Sequence, residues 1–160
     1  MERAYSQRLA EITGRSFSSS RQLLRALREA RLVPRHGEIP TAADVASIVL
    51  AISADTFVAA PERVRALSAM PQTSATSLPP TAGAMLAAFL IARKNGPVLG
   101  DFDVEDGFLH VGPTSVTLEC LTLTGKRACI RYGADPAGIS QTTTIPLPIV
   151  AKFTSLFEIL

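Results

Sequence analysis

The sequence predicts an α+β fold, in which an N-terminal helical module with a helix-turn-helix precedes a small antiparallel-sheet module with flanking helices. Apolar residues recur at helical spacing through residues 1–70. After Gly96 the apolar period changes to two, which is typical of half-buried strands. Residues 71–80 hold three prolines and no charged residue, which predicts a linker or long loop. The predicted domains are therefore 1–70 and 81–160.

Composition indicates a folded, cytoplasmic protein. Hydrophobic residues make up 47% of the 160 residues and charged residues 19%, enough for a packed core. The longest apolar stretch, residues 84–92, is about half of the roughly 18 residues that a membrane span needs. The N-terminus lacks the features of a secretory signal, and two cysteines do not make a disulfide framework. We therefore expect a reduced protein with no membrane association.

The first module contains four predicted helices. Gly14 stops the first helix, and residues 16–20 offer several N-caps for the second. Thr41 and Asp44 resemble a capping box, and Pro61 fits the first turn of a helix. The predicted helices cover residues 5–13, a segment that begins after one of the caps in 16–20 and runs to about 31, 41–53 and 61–70.

The second module begins with a predicted helix over residues 81–94. Alternating segments 101–105 and 108–111 flank Asp106-Gly107, a dipeptide typical of a two-residue hairpin turn.

A second hairpin is predicted between residues 115–122 and 126–133, in one of two registers. A two-residue turn would place Cys120 opposite Cys129 but would mix polar and apolar side chains on both faces. A three-residue loop over 123–125 sorts the faces better, so we prefer it. That register puts the two cysteines on opposite faces, which argues against a disulfide.

The chain is predicted to end with a strand over residues 141–147 and a helix that begins at Pro148. The helix carries an apolar stripe that either covers the sheet or forms a subunit interface, with core packing favoured. The stripe consists of Ile149, Phe153, Leu156, Phe157 and Leu160.

Residues 8–34 resemble winged-helix transcription regulators. The matching features are Leu9-Ala10, Gly14 four residues later, a serine-rich turn, and the run Arg25-Ala-Leu-Arg-Glu-Ala-Arg-Leu-Val33. Two positions depart from the pattern: Arg15 follows the turn glycine, where an apolar residue is common, and Ser20 replaces an aliphatic one. The resemblance implies a DNA-binding helix-turn-helix.

The charge distribution points to the same segment. Residues 1–36 hold eight arginines against three glutamates, whereas the remainder holds eight basic and eleven acidic residues. Five polar side chains of the second helix fall within about a third of its circumference. In a recognition helix, arginine pairs with guanine, glutamine pairs with adenine, and further arginines hold phosphates. The predicted DNA-binding residues are Arg15, Ser18, Ser19, Arg21, Gln22, Arg25, Arg28, Arg35 and His36.

The other clusters of polar residues are better explained by structural roles than by catalysis or metal binding. The acidic segment 101–106 lacks the glycine and glutamate spacing of an EF-hand loop. His110 is expected to face Asp103 across the first hairpin, and Cys120 and Cys129 lack metal-site spacing. We therefore predict no catalytic residue, no metal, no cofactor and no enzymatic activity.

The favoured function is sequence-specific binding of double-stranded DNA, in transcriptional regulation, by a homo-oligomer, with a dimer favoured. A looser resemblance to the small terminase subunits of tailed phages, which place a helix-turn-helix before an assembly region, implies DNA packaging instead. A third hypothesis is a protein-binding adaptor or inhibitor without a nucleic-acid role. Residues 81–160 are the candidate surface for a protein partner.

Overall fold

The fold of the computed structural model is α+β, as predicted, and the structure describes residues 2–134 and 138–158. The helices are α1 (Glu2–Thr13), α2 (Phe17–Glu29), α3 (Ala42–Ala51), α4 (Ala60–Ser68), α5 (Ala82–Asn95) and α6 (Leu147–Lys152), which continues as a 3-10 helix (Phe153–Glu158). The strands are β1 (Val98–Leu99), β2 (Phe102–Val111), β3 (Ser115–Thr122), β4 (Arg127–Gly133) and β5 (Thr143–Pro146). None of the described helices is long and apolar enough to cross a membrane.

Helix boundaries follow the predicted caps closely. The Thr41 side chain accepts a hydrogen bond from the Asp44 amide while the Asp44 carboxylate accepts one from the Thr41 amide, which confirms the capping box. Ser16 is the N-cap of α2, and α1 ends before Gly14, whose φ of 70° suits a residue without a Cβ. The buried face of α3 includes Val45 and Val49, both fully inaccessible, so its apolar sequence reflects packing on several sides.

The sheet is antiparallel with strand order β1-β2-β3-β4, and β5 pairs with the second half of β2. The three-residue loop register between β3 and β4 is confirmed, because Leu118 pairs with Ile130 and Cys120 pairs with Ala128. Cys120 is buried and Cys129 is exposed, both as free thiols. Burial raises the pKa of the Cys120 thiol to about 11.

The predicted hairpin at Asp106-Gly107 is wrong. Residues 102–111 form the single strand β2, with a bulge between Asp103 and Phe108 where the pairing to β3 shifts. Gly107 has a φ of 130°, and a Cβ there would lie 2.1 Å from the Glu119 carbonyl oxygen. A turn and a bulge both use glycine between alternating segments, so the local pattern does not distinguish them.

One cluster of buried side chains extends through residues of both predicted modules. α3 packs on α5, and the Tyr5 hydroxyl of α1 donates a hydrogen bond of 2.8 Å to the Leu156 carbonyl. Within the predicted linker, the Thr73 amide donates to the Arg131 carbonyl of β4 at 2.9 Å. These contacts tie the helices that carry the candidate site to the sheet and to the C-terminal segment.

The C-terminal stripe packs against this core. Phe153 and Leu156 are fully buried, and Ile149 and Phe157 are partly buried against the cluster. Leu160 lies outside the described residues.

Candidate nucleic-acid interface

The orientation of α2 is set by its buried face and its N-cap. Leu23, Leu24 and Leu27 are no more than 2% exposed, so this side of the helix is held in the core. The Ser16 hydroxyl accepts a hydrogen bond of 3.1 Å from the Ser19 amide, which satisfies one of the unpaired donors at the helix start. The opposite side of α2 therefore faces solvent in a defined orientation.

The chain returns toward α2 immediately after the helix ends. The amides of Arg31 and Leu32 donate to the carbonyls of Arg28 and Leu27, each at 2.9 Å, and so close the last turn. Val33 is buried, so the chain is anchored before the exposed residues of the following loop. The loop that carries Arg35 and His36 consequently lies beside the exposed side of α2.

Together α2 and this loop enclose an open groove of about 920 Å³, which we call the basic groove. Seven of the nine predicted DNA-binding residues line it, and Glu29 is the eighth lining residue. The lining residues are Ser18, Arg21, Gln22, Arg25, Arg28, Glu29, Arg35 and His36.

Positive charge dominates the basic groove, because four arginines face one glutamate. Arg25 Nε lies 2.8 Å from Glu29 Oε1, in an i,i+4 ion pair whose side chains are 78% and 66% exposed. An ion pair this exposed is weak, so both groups can exchange it for contacts with a ligand. Glu29 lies on the predicted helix face but is not among the predicted site residues, and its spacing from Arg25 is the signal that could have added it.

Two predicted site residues lie outside the groove and make structural contacts. Arg15 Nη2 donates a hydrogen bond of 2.6 Å to the Ile52 carbonyl, at the end of α3. The Ser19 hydroxyl accepts a 2.9 Å hydrogen bond from the Ser16 hydroxyl, beside the N-cap contact. Arg15 therefore joins the turn before α2 to α3, and Ser19 belongs to the cap.

Ser20, the second departure from the winged-helix pattern, is fully buried. Its hydroxyl has no hydrogen-bond partner within the part of the chain that the structure describes. A small residue at this position lets α2 pack closely, but the unpaired hydroxyl costs free energy.

The predicted contact between His110 and Asp103 is wrong. His110 instead belongs to a polar network on the outer face of the sheet. His110 Nε2 lies 2.9 Å from Glu119 Oε2, its Nδ1 lies 3.0 Å from Thr144 Oγ1, and Arg127 Nη2 donates to Glu119 Oε1 at 2.6 Å. The hydrogen bonds from His110 and then Arg127 lower the pKa of Glu119. The network links β2, β3, β4 and β5 because each strand contributes one member.

A smaller cleft of about 300 Å³ lies beside this network, at the bulge of β2. Asp103, Glu105 and Asp106 line it together with Glu119 and Arg127. Among the described residues, no group of histidine, cysteine, aspartate and glutamate side chains is arranged to hold a metal ion.

The structure shows an α+β fold whose first two helices are joined by a short turn, with the second helix bordering a basic groove. No protein-family model matches the chain, and no curated protein or solved structure matches it.

Proposed function

We propose that the protein binds double-stranded DNA through α2 and the loop that carries Arg35 and His36. The observation that supports this most directly is the basic groove itself, which collects seven of the nine residues selected from the sequence. Its four arginines and single glutamate suit a polyanion, since each arginine that contacts a phosphate releases condensed counterions.

The two walls of the groove suit different parts of a duplex. Ser18, Arg21 and Gln22 lie in the first half of α2, where a recognition helix contacts base edges in the major groove. Arg21 provides a fork for guanine, and Gln22 provides paired donor and acceptor groups for adenine. Arg35 and His36, on the opposite wall, hold the sugar-phosphate strand that borders the major groove.

Transcriptional regulation is the role that we propose for this activity. A regulator of this type reads two half-sites as a dimer, and the spacing of the half-sites follows from the dimer symmetry. A ring of many subunits would instead favour the packaging hypothesis, and a monomer that binds only protein would favour the adaptor hypothesis.

The direct test compares the wild type with the Arg21→Ala/Arg25→Ala double variant. DNA is first selected from a random pool, and affinity for the selected duplex is then measured by fluorescence anisotropy over a range of salt concentrations. We expect a loss of affinity of at least ~5-fold from the base contact of Arg21, which contributes about 1–3 kcal/mol, and a further loss from the contact of Arg25. The slope of log affinity against log salt should become shallower by about 0.9 for each lost phosphate contact.

The matched control is Lys126→Gln, which removes one positive charge from an exposed turn between β3 and β4. The control should bind the duplex like the wild type. The free energy of unfolding of the double variant should lie within about 1 kcal/mol of the wild-type value, because the ion pair lost with Arg25 is exposed. Absence of wild-type binding to any duplex at low salt would reject the proposed function.

Mass measurement in solution, with and without the selected duplex, tests the oligomeric state. We expect a dimer on a site with two half-sites.

A further inference from the structure

We propose that Arg31 is a further DNA-contacting residue, and that it extends the phosphate-binding surface past the C-terminal end of α2. This inference rests on the proposed function, because it concerns the same ligand. Arg31 is not among the residues selected from the sequence, and it does not line the basic groove.

The backbone of Arg31 is the first observation. Its φ of 60° makes it the one non-glycine residue with a positive φ in the described part of the chain. Arg31 occupies the position directly after Ala30, the C-cap of α2. Glycine is strongly preferred at that position, because a Cβ disfavours the left-handed conformation. An arginine at such a position lowers the stability of the fold relative to glycine, so backbone stability does not explain why arginine is present here.

The second observation is the surface around Arg31. Arg31 is exposed and lines a concavity of about 330 Å³ with Arg28, Arg35, Glu38 and Asp44. Arg28 and Arg35 also line the basic groove, so the two concavities share a border. Their arginines therefore form a continuous basic surface from the exposed side of α2 to its C-terminal end.

The carboxylates of this concavity do not neutralise it. Asp44 Oδ2 accepts hydrogen bonds from the Thr41 amide at 2.6 Å and from the Thr41 hydroxyl at 2.7 Å, so this carboxylate is directed toward the start of α3. Both carboxylates keep their negative charge, so three arginines against Glu38 and Asp44 leave one net positive charge in this concavity. No hydrogen bond or ion pair of the Arg31 guanidinium is found within residues 2–134 and 138–158.

An arginine near a helix C-terminus also interacts favourably with the helix dipole, which is a purely structural explanation. The two explanations predict different results for Arg31→Gly. Glycine removes the backbone strain and the charge together, so a phosphate contact predicts weaker DNA binding in a protein that is as stable as the wild type or more stable. A structural role predicts a lower melting temperature and unchanged binding.

The experiment measures affinity for the selected duplex and the thermal melting of the free protein. For Arg31→Gly we expect a loss of affinity of about 10-fold, the equivalent of roughly 1.4 kcal/mol, and a salt slope that is shallower by about 0.9. The loss should be similar for duplexes of unrelated sequence, since phosphates carry no sequence information. The melting temperature should stay constant or rise by about 1–3 °C.

Three further variants make the result specific. Arg31→Lys keeps the charge and should keep the salt slope. Glu38→Gln removes the facing carboxylate and should tighten binding by about 2- to 3-fold, since a nearby carboxylate repels phosphate. Lys126→Gln removes the same charge far from the groove and should leave affinity unchanged.

The outcomes separate the two proposals. If the wild type binds duplex DNA and Arg31→Gly binds with the same affinity and salt slope, the role of Arg31 is rejected while the proposed function stands. If Arg31→Gly melts several degrees lower, Arg31 is structural and the inference is rejected. If the wild type binds no duplex, both proposals are rejected.

Discussion

Replacing Gly107 with alanine tests the bulge at which the β2–β3 pairing shifts. A Cβ at Gly107 would lie 2.1 Å from the Glu119 carbonyl oxygen and 3.2 Å from Leu147 Cδ1. An ordinary contact between carbon and a carbonyl oxygen is about 3.3 Å or more, so the two strands must separate by roughly 1 Å. The φ of 130° adds strain, since L side chains rarely adopt it.

The strand separation and the backbone strain together set the expected loss of stability in Gly107→Ala. Two ladder hydrogen bonds stretched beyond their normal length cost about 1–3 kcal/mol in total, because each contributes about 0.5–1.5 kcal/mol. Backbone strain adds about 1–3 kcal/mol. Gly107→Ala should therefore lower the free energy of unfolding by about 2–6 kcal/mol, or the melting temperature by roughly 5–20 °C.

Gly125→Ala is the matched control, because Gly125 also has a positive φ, of 88°, but has no atom within 4 Å of the position that a Cβ would occupy. Gly125→Ala therefore measures the backbone strain alone and should lower the free energy of unfolding by about 1–2 kcal/mol. Urea unfolding followed by circular dichroism measures both variants, with similar slopes required for comparison. If Gly107→Ala is within about 1 kcal/mol of Gly125→Ala, the close approach of β3 to Gly107 does not limit substitution and the reasoning is refuted.

Two further predictions concern buried and ionised polar groups. Ser20→Ala should raise the free energy of unfolding by about 1 kcal/mol, since it removes a fully buried hydroxyl without a partner among the described residues. The urea midpoint of each variant is compared with that of the wild type, and the control is Ser19→Ala, which removes a hydroxyl bonded to Ser16. A midpoint for Ser20→Ala below that of the wild type would contradict this prediction. His110 and Arg127 hold the pKa of Glu119 below its ordinary value of 4.5, so the ionised carboxylate stabilises the fold above that pH, and this contribution is lost as the pH falls through the lowered pKa. The stability difference between the wild type and Glu119→Gln should therefore shrink as the pH falls below 4.5, and urea unfolding that shows a constant difference over this range would argue against the network.

Local sequence signals predicted a substantial part of the fold. The capping box of α3 needs only Thr41 and Asp44, three residues apart, and it forms as expected. The β3–β4 register follows from sorting apolar from polar side chains, since a shift of one residue would reverse both faces. The basic side of α2 was predicted in the same way, because helical spacing alone places Arg21 and Arg25 on one side of the helix.

Long-range contacts account for what the sequence did not predict. Arg15 was selected for its charge, but its guanidinium donates to a carbonyl 37 residues away. His110 was paired with Asp103 because a hairpin was expected, whereas the neighbour that it contacts is Glu119 on β3. Neither partner can be recognised from spacing, since each depends on how distant segments pack.

The sequence by itself determined the helices, the pairing of β3 with β4 and the exposed basic side of α2, because periodicity and capping act over a few residues. Only the tertiary structure decided that the Asp106-Gly107 dipeptide forms a bulge, since the outcome depends on the approach of β3 and β5 to β2. It also decided that Arg35 joins the side chains of α2, because the turn at Arg31 returns the chain to that helix. Residues far apart in sequence meet only where the shared core places them, and no local pattern carries that information.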